Sequence, residues 1–396
     1  MTATHTTHVT APAVRLHLAF ELGWNEWKLA FSTGHGQAPR LRSIPARNLE
    51  ALQTEIAQAK LRFGLPADTA VVSCYEAGRD GFWLHRYLTA QGIGNRIVDS
   101  SSIEVNRRRR RAKTDRLDAG KLLAMLMRYA DGETKVWSVV RVPSVAEEDQ
   151  RQLGRELLGL KDEQTAHVNR IKALLASQGL DVKVDEQLPE RLAALRLWDG
   201  TALGADRQQQ LQREFERWQF VHRQILDLEA GRRQRIRREE TPAVEQVRSL
   251  LGLRGIGLNG AWLLVRELFG WRKIRNRREL AALVGLVPTP YQSGGSHREQ
   301  GISKAGNKRL RRLLVELAWC WVRWQPTSAL SRWYAARFGP SRGARKVGIV
   351  AVARKLLVAL WRYLEHGEVP AGAALCDWEA KVSPSQKRAA AAAAEA

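Results

Sequence analysis

The sequence predicts a mixed α/β domain at its amino-terminal end, followed by two mostly helical regions. Three observations support this fold class. Near the start of the 396-residue chain, apolar residues alternate with polar ones, as in half-buried strands. A strand, a helix and a further strand then follow through short links, which is typical of a parallel pair with a right-handed crossover. From about residue 145 onward, apolar residues recur at helical spacing.

The first predicted domain covers residues 13–140. Its predicted elements are strands at 14–20 and 27–31 joined as a hairpin, a helix at 46–63, a strand at 70–75, a helix at about 81–91 and a strand at 96–99. Glu21 directly follows the first strand, and Glu76 follows the strand at 70–75. Ligands bind at the carboxyl ends of the strands in such sheets, so both carboxylates are expected on the ligand side.

Two helical regions are predicted to follow. Residues 145–240 predict a helical hairpin or coiled-coil arm, commonly a dimerisation device, although a plain helical bundle explains the same spacing. The region 244–365 carries predicted helices near 260–268, 277–284, 305–324 and 345–364, with a polar loop at 288–303. The tail 366–396 ends in an alanine-rich run and is expected to be disordered.

A Gly-rich segment opens the third region. LLGLRGIGLNGAWLLVREL resembles a helix-hairpin-helix, in which backbone N–H groups approach a phosphate at a helix start. The alternative is a tight turn between two helices that needs Gly255 and Gly257 for its backbone conformation.

The composition points to a polyanionic partner. The chain has 64 Lys and Arg against 41 Asp and Glu, a formal charge of +23 and a pI near 10.6, well beyond what solubility requires. Cys74, Cys320 and Cys376 lack the spacing of a zinc site or a disulfide framework. No apolar run reaches the roughly 18 residues that span a bilayer. A cytoplasmic, nucleoid-associated protein with no membrane partner is expected.

Acids stand directly behind the most basic segment of the chain. Asp115 and Asp118 follow this segment and share one face of a helix because they are three residues apart. The basic residues are Arg107, Arg108, Arg109, Arg110, Arg111 and Lys113. A solvated charge run with two helix-start acids is the ordinary interpretation. Together with Glu21 and Glu76, however, these carboxylates supply the oxygen ligands that Mg²⁺ or Mn²⁺ needs for phosphoryl transfer, and the arginines would hold nucleic-acid phosphates beside them.

Three segments carry a specific resemblance: AFELG, CYEAGRDGFWL and RRAKTDRLDAGKLL. They resemble the DEDD domain of insertion-sequence transposases, which have an RNase H-like, resolvase-like fold and a second, serine-bearing carboxyl-terminal domain; site-specific invertases share this layout. The resemblance implies that Glu21, Glu76, Asp115 and Asp118 are metal ligands. The first of the four is normally Asp in that family. Glu21 is therefore a departure, whose extra methylene either demands a small backbone shift or marks an inactive relative.

A second motif is similar to the serine domain of the same family. In YQSGGSHREQGISKAGNKRLRRLLVELAW, the resemblance implies that Ser293 is a nucleophile, with Ser296 and Ser303 as nearby rivals. A turn hydroxyl is the ordinary role of a serine in such a loop. The cations expected to contact nucleic acid here are Arg298, Lys304, Lys308, Arg309 and Arg312.

The expected function is therefore a transposase or site-specific recombinase that cuts and rejoins DNA. The resemblance implies a covalent phosphoserine link, double-stranded DNA partners at the element ends and the target, a structured guide RNA, and a dimer or tetramer. Two alternatives remain. One is a metal-dependent nuclease or junction resolvase that does not rejoin strands, and the other is an inactive nucleic-acid binder, motivated by Glu21.

Overall fold

The structure is a computed structural model that describes residues 14–103, 115–293, 296–339 and 342–383. Side chains at 101, 115–117, 291–293, 296–299 and 342 lie outside this description. The predicted phosphate-binding run 107–111 with Lys113 also lies outside the described residues. Two compact units divide the chain, Met1–Pro143 and Ser144–Ala396. The arm and the serine region predicted as separate domains both fall in the second unit.

The first unit contains a five-stranded mixed sheet, which confirms the predicted mixed α/β class. The strand order is β3-β2-β1-β4-β5. Its strands are β1 Leu16–Leu22, β2 Glu26–Ser32, β3 Arg40–Pro45, β4 Val71–Glu76 and β5 Gly94–Val98. The helices are α1 Leu49–Arg62, α2 Trp83–Ala90 and α3 Asp115–Ala130. The hairpin and the strand–helix–strand unit were predicted, whereas β3 was not.

Strand direction follows from the connections. β1 pairs antiparallel with β2 and parallel with β4, and β4 pairs parallel with β5. β2 pairs antiparallel with β3, so β3 points the same way as β1. The carboxyl ends of β1, β3, β4 and β5 therefore meet at one edge of the sheet, which we call the carboxyl edge.

The sheet is buried on both faces. Apolar side chains of one face pack with α1 and α2, and their members include Leu16, Leu18, Phe20, Leu52, Ile56, Leu84 and Leu88. The other face is smaller and packs under α3, with Ala19, Ala30, Cys74, Ala119, Leu122 and Leu123. Small residues on this second face let the helix approach the sheet closely. Cys74 is fully buried in this face of the core, and this burial raises the pKa of its thiol.

The second unit begins with an antiparallel helical hairpin, as predicted for the arm. Short α4 (Val145–Asp149) precedes α5 (Gln152–Ala176), and α6 (Leu188–Ala194) lies between α5 and α7 (Ala205–Arg238). Lys161 Nζ donates to Glu229 Oε1 at 2.7 Å near one end of the pair. Arg207 donates to Ser177 Oγ at 2.7 Å near the other end. These contacts fix the antiparallel register of α5 and α7.

The remaining chain forms a second helical core in the same unit. Its elements are α8 Pro242–Leu251, α9 Leu258–Leu264 with a π-helical continuation Val265–Phe269, α10 Arg277–Val284, β6 Pro288–Ser293, β7 Ser296–Ile302, α11 Lys308–Trp324, α12 Ala329–Phe338, α13 Arg342–His366 and α14 Glu379–Val382. Trp262, Trp321 and Leu356 are fully buried at its centre. The predicted helices are present, but the predicted polar loop at 288–303 forms the antiparallel hairpin β6–β7.

The tail expectation is wrong for its first part. Val382 of α14 is fully buried in the helical core. Lys381 Nζ donates to the carbonyls of Leu251, Leu253 and Ile256 at 2.6, 2.9 and 2.9 Å. The alanine-rich end of the tail led to a prediction of disorder for all of it, including the segment around Lys381 and Val382. Residues 384–396 lie outside the described residues. Nowhere in the described ranges is there a helix with the length and apolar character to cross a bilayer.

Candidate functional site

Two predicted acids lie side by side at the carboxyl edge. Phe20 pairs with Tyr75 in the parallel register of β1 and β4, so Glu21 and Glu76 follow at matching positions. Adjacent strands are about 4.8 Å apart, which is the expected separation of the two backbones here. Side chains alternate along a strand. Glu21 and Glu76 therefore share the face of Ala19 and Cys74, which is the face that α3 covers.

The direction of α3 brings a third acid to this edge. Cys74 Sγ lies 3.8 Å from the Leu122 carbonyl oxygen, which places the middle of α3 over β4. Beyond the carboxyl end of α3, Asp131 lies 2.7 Å from His35 Nε2, and His35 follows β2 at the opposite edge, where β1 begins. Helix α3 therefore runs antiparallel to β1, and Asp118 lies toward the carboxyl edge.

Asp118 occupies a position where the buried stripe of α3 reaches the rim of the sheet. Ala119 and Leu122 are buried against the sheet, whereas Asp118 is half-buried. Asp115 lies one turn earlier on the same helical face, at the first residue of α3, and its side chain is outside the description. The topology thus directs the backbone positions of all four predicted acids to one edge.

The residue types at the carboxyl edge fit a hard divalent cation. Carboxylate oxygens are the ligands that Mg²⁺ and Mn²⁺ prefer. Like charges at neighbouring positions of a sheet destabilise it, and a bound cation would remove this penalty between Glu21 and Glu76. Among the described side chains, no three His, Cys, Asp or Glu residues already stand close enough together to hold a metal.

One further acid lies at this edge and was not among the predicted site residues. Asp99 directly follows β5, and its N–H donates to the Ser138 carbonyl oxygen at 2.9 Å. Glu76 pairs with Val98 in the parallel register of β4 and β5, so Asp99 lies one position further along the edge. The sequence signal was present, because Asp99 ends a predicted strand as Glu21 and Glu76 do.

The predicted nucleophile lies at the tip of the β6–β7 hairpin. Ser293 pairs with Ser296 in the antiparallel register, and the hairpin starts where Pro288 pairs with Ile302. Five residue steps separate these pairs, which corresponds to about 17 Å along the strands. Ser303 lies at the base instead, where its N–H donates to the Val287 carbonyl oxygen at 2.8 Å. The three candidate serines are therefore split between the tip and the base.

Backbone contacts fix the base of this hairpin. Gly285 ends α10 in the left-handed region at φ +69°, and an added Cβ would lie 1.9 Å from the Ala305 carbonyl oxygen. Lys304 has φ +56°, and its N–H donates to the Gly285 carbonyl oxygen at 3.2 Å. Asn307 caps α11 by accepting from the N–H groups of Arg309 and Leu310. The start of α11 is thus held rigidly against the end of α10.

Four of the five cations predicted for the serine region lie around this base. Lys304, Lys308, Arg309 and Arg312 are exposed. Arg312 Nε donates to Glu316 Oε1 at 3.0 Å, so part of its charge is already compensated. The side chain of Arg298 lies outside the description. The described cations accompany Ser303 at the base, whereas Ser293 lies at the far end of the hairpin.

A second basic segment, around the start of α10, was not predicted. Residues 272–278 carry five cations, three ahead of α10 and two in its first turn, and Lys273, Arg275, Arg277 and Arg278 are exposed. Arg272 stacks on Trp271 with its guanidinium carbon 4.1 Å from the ring centroid. Cation density was the available sequence signal. This segment extends the basic surface of the second unit.

The Gly-rich segment forms a turn between α8 and α9 that the chain itself covers. Gly255 has φ +86°, and an added Cβ would lie 3.4 Å from the Cys320 carbonyl oxygen. The Arg254 N–H donates to the Ala374 carbonyl oxygen at 3.0 Å, and Gln325 Nε2 donates to the Arg254 carbonyl oxygen at 2.8 Å. These contacts favour the inter-helix turn over a phosphate-binding helix-hairpin-helix.

Comparisons with known proteins converge on one family. Residues 247–332 match the family model described as Transposase IS116/IS110/IS902 family, a segment that includes the β6–β7 hairpin and α11. The Sinorhizobium fredii protein y4rJ, a transposase by its name, is 40% identical over 381 residues, which covers 91% of this chain and 94% of that protein. The Coxiella burnetii transposase for insertion sequence element IS1111A is 27% identical over 299 residues, with 72% and 75% coverage. The Yersinia enterocolitica transposase for element IS1328 is 30% identical over 161 residues, with 40% and 46% coverage.

Proposed function

This chain belongs to the IS116/IS110/IS902 family of transposases, and from that premise we propose that it cuts and rejoins DNA with an acidic metal site and a serine nucleophile. The observation that carries the proposal is the parallel register that sets Glu21 beside Glu76. Helix α3 directs Asp118 to the same edge. The strand order and this acidic edge support an RNase H-like first unit.

Glu21, Glu76, Asp115 and Asp118 would hold Mg²⁺ or Mn²⁺. A bound divalent cation supplies charge stabilisation at the attacking and leaving oxygens of a phosphoryl transfer. The protein residues hold the carboxylates at fixed positions through the sheet register and through the packing of α3. The extra methylene of Glu21 moves its carboxylate outward from the strand.

Ser293 would be the nucleophile. Its Oγ attacks the phosphorus of a DNA phosphodiester, a Ser–O–P bond forms, and the P–O bond to one deoxyribose breaks. The serine proton leaves during attack, and the departing deoxyribose oxygen takes up a proton. Attack of another strand's deoxyribose hydroxyl on the same phosphorus then releases the serine and rejoins DNA. The tip of a hairpin presents Ser293 to a substrate as large as a duplex.

The exposed cations would bind DNA phosphates through their charge and take no part in bond breaking. Lys304, Lys308 and Arg309 lie at the base of the hairpin, roughly 17 Å from its tip by strand spacing. They are therefore suited to phosphates that flank the reacting one.

The proposed duplex partners are the element ends and the target DNA. A structured guide RNA is the third proposed nucleic-acid partner. The α5–α7 arm would join the protein into a dimer or tetramer. Such an enzyme would act at the nucleoid in the cytoplasm.

A covalent-adduct assay tests the serine. The full-length protein is mixed with Mg²⁺, a plasmid carrying the element ends and the RNA transcribed beside the gene, and the reaction is then denatured. We expect a protein–DNA adduct from the parent and from the matched control Ser303→Ala, and none from Ser293→Ala. An adduct that survives Ser293→Ala contradicts the assignment.

The same assay separates the two alternatives. Cleavage without an adduct, unaffected by Ser293→Ala, favours a metal-dependent nuclease or junction resolvase. DNA binding without cleavage in the parent favours an inactive binder, for which Glu21 supplies the motive. If Glu21→Asp then produced cleavage, the longer side chain would be identified as the cause of inactivity.

A further inference from the structure

An exposed cluster of aromatic and guanidinium groups lies at the carboxyl edge beside the proposed acidic site. We call Trp24, Arg47 and Arg79 the rim cluster. Trp24 is 62% exposed. The guanidinium carbons of Arg47 and Arg79 lie 4.8 and 4.9 Å from its ring centroid. Neither arginine belongs to a charged run in the sequence. The fold brings them together from separate loops.

Each member of the rim cluster follows a strand that ends at this edge. Trp24 lies in the turn after β1, three residues beyond Glu21, and Arg79 lies three residues beyond Glu76. Arg47 follows β3, which points the same way. Three residues span at most about 11 Å. The rim cluster is therefore within a few nucleotides' length of the carboxylates that it flanks.

The loops that carry the rim cluster are fixed by contacts within the first unit. The Gly23 N–H donates to the Glu26 carbonyl oxygen at 3.1 Å, and a Cβ on Gly23 would lie 2.4 Å from the same oxygen. Tyr75 Oη donates to the Gly81 carbonyl oxygen at 3.2 Å and closes the loop that holds Arg79. The side chains are thus presented on rigid turns.

Arg47 has a backbone conformation that costs free energy. Its φ of +67° lies in the left-handed region, where a residue with a Cβ is strained by about 1 kcal/mol. Glycine would fit this position without that cost. Arg47 NH1 donates to the Trp24 carbonyl oxygen at 3.2 Å, so the side chain is held at the rim. Strain retained for a side chain that remains 45% exposed indicates a role outside the core.

The charge and geometry of the rim cluster suit a phosphodiester. Asp80, with a side chain only 7% exposed, lies 3.6 Å from the NH2 groups of both Arg47 and Arg79. Two guanidinium groups and one carboxylate leave a net charge of +1. Arg47 NH1 is engaged with the Trp24 carbonyl oxygen, and both NH2 groups face Asp80. The remaining N–H groups of guanidiniums stacked on an aromatic ring can still donate to phosphate oxygens. A backbone phosphate would complete the charge balance of the cluster.

We propose that the rim cluster is a phosphodiester clamp that holds one DNA strand at the carboxyl edge, next to Glu21 and Glu76. The proposal rests on the proposed function, because that function places the reacting DNA strand at this edge. The clamp positions the strand and takes no part in bond breaking. Its ligand is the sugar-phosphate backbone, so it binds without regard to base sequence.

Binding measured in EDTA tests the clamp separately from catalysis. The full-length protein is titrated into a fluorescein-labelled single-stranded deoxyoligonucleotide, and anisotropy is recorded. We expect Arg47→Gly and Arg79→Gln each to weaken binding roughly three- to tenfold at low salt. Arg62→Gln is the matched control, since it removes one exposed charge at the far end of α1, about 20 Å away along the helix. The control is expected to weaken binding less than twofold.

Arg47→Gly also separates binding from folding. Glycine relieves the φ strain but removes the contacts of Arg47 with Trp24 and Asp80 and adds entropy to the unfolded chain, so these effects offset and the thermal midpoint should stay close to that of the parent. Weaker binding together with an unchanged or raised midpoint therefore supports the clamp. Binding by Arg47→Gly and Arg79→Gln that equals binding by Arg62→Gln overturns it. An effect seen with an RNA oligonucleotide of the same sequence and absent with DNA overturns the choice of DNA.

Photo-crosslinking supplies a direct second readout. Benzoylphenylalanine replaces Trp24, or Leu61 as a control that is 79% exposed on α1. Both arginines remain in place, and irradiation is carried out in EDTA with the labelled oligonucleotide. We expect a DNA adduct from position 24 at several times the yield from position 61, and equal yields overturn the proposal. Neither readout requires a metal or Ser293, so loss of cleavage alone leaves this result intact.

Discussion

At the scale of single residues, Gly285 controls the base of the serine hairpin. Its positive φ and the 1.9 Å approach of an added Cβ to the Ala305 carbonyl oxygen leave no room for a side chain. We expect Gly285→Ala to lower the free energy of unfolding by about 3 kcal/mol or more. Urea denaturation of the full-length protein measures this loss.

Gly231 provides the matched control. It lies inside α7 with no atom within 4 Å of an added Cβ, so Gly231→Ala should stabilise the protein by about 0.5–1 kcal/mol. Equal effects of the two substitutions would show that the contact at Gly285 is not as close as the structure indicates.

Lys381 is a second residue whose side chain makes an unusual set of backbone contacts. Its ammonium group donates to three backbone carbonyls at the end of α8 and in the following turn. Removing the group leaves those partly buried acceptors without their donor, so Lys381→Ala should cost about 2–4 kcal/mol. Urea denaturation of the full-length protein measures this loss. A free energy of unfolding in Lys381→Ala equal to that of the parent would contradict the role assigned to Lys381.

At the scale of elements, the α5–α7 hairpin contains an ionic cluster around the buried side chains of His167 and Glu214, whose arginine members are about half exposed. His167 Nδ1 and Arg170 Nε lie 2.8 and 2.9 Å from Glu214 Oε2. Arg217 NH1 donates to Glu214 Oε1 at 2.7 Å. Burial alone would raise the pKa of Glu214, but the contacts with His167 and Arg170 outweigh it and lower the pKa to about 2.

The stability of the arm should therefore fall as the pH is lowered. Because the folded-state pKa of Glu214 is below its ordinary value of 4.5, the contribution is present above that pH and is lost as the pH falls toward about 2. Glu214→Gln should lower unfolding free energy at pH 7 by about 1–3 kcal/mol and reduce its dependence on pH across this window. Chemical denaturation at pH 7, 4.5 and 3 measures the difference, with exposed Glu216→Gln as control. Parallel pH dependence in parent and Glu214→Gln would contradict the prediction.

Element types in this protein are largely readable from the sequence, because strands and helices with one buried face leave a periodic pattern. Strand β3 escaped because its residues, RLRSIP, are mostly exposed along an edge of the sheet. The β6–β7 hairpin escaped because Pro, Gln, Ser and Gly residues obscure strand alternation. Both strands are defined by pairing with a neighbour, which local composition does not encode.

The acidic edge was predictable for a different reason. Glu21 and Glu76 end strands that alternate clearly, and the parallel connection then fixes their common edge. The rim cluster was not predictable, because Trp24, Arg47 and Arg79 meet only through the turns after three different strands. Its formation depends on the order of the strands in the sheet, which the short-range periodicity of the sequence does not predict.

At the scale of the whole molecule, the charge of +23 predicts strongly salt-dependent DNA binding. Each phosphate contact contributes about 0.9 to the slope of log affinity against log salt on duplex DNA. Lys308→Ala should lower this slope by about 0.9. Arg312→Ala should lower it less, because Glu316 already compensates part of the Arg312 charge. Fluorescence anisotropy across a salt series measures both slopes, and identical slopes in the two variants and the parent would exclude α11 from the DNA interface.

The proposed reaction depends on the binding of one divalent-metal centre by the carboxylates of the sheet edge and α3. Electron paramagnetic resonance of Mn²⁺, titrated with the full-length protein, tests it without DNA or turnover. We expect the parent to deplete the free-ion signal, Glu76→Gln and Asp118→Asn each to weaken this binding at least tenfold, and the exposed control Glu216→Gln to leave it unchanged. Mn²⁺ binding that is unchanged in Glu76→Gln and Asp118→Asn would contradict it.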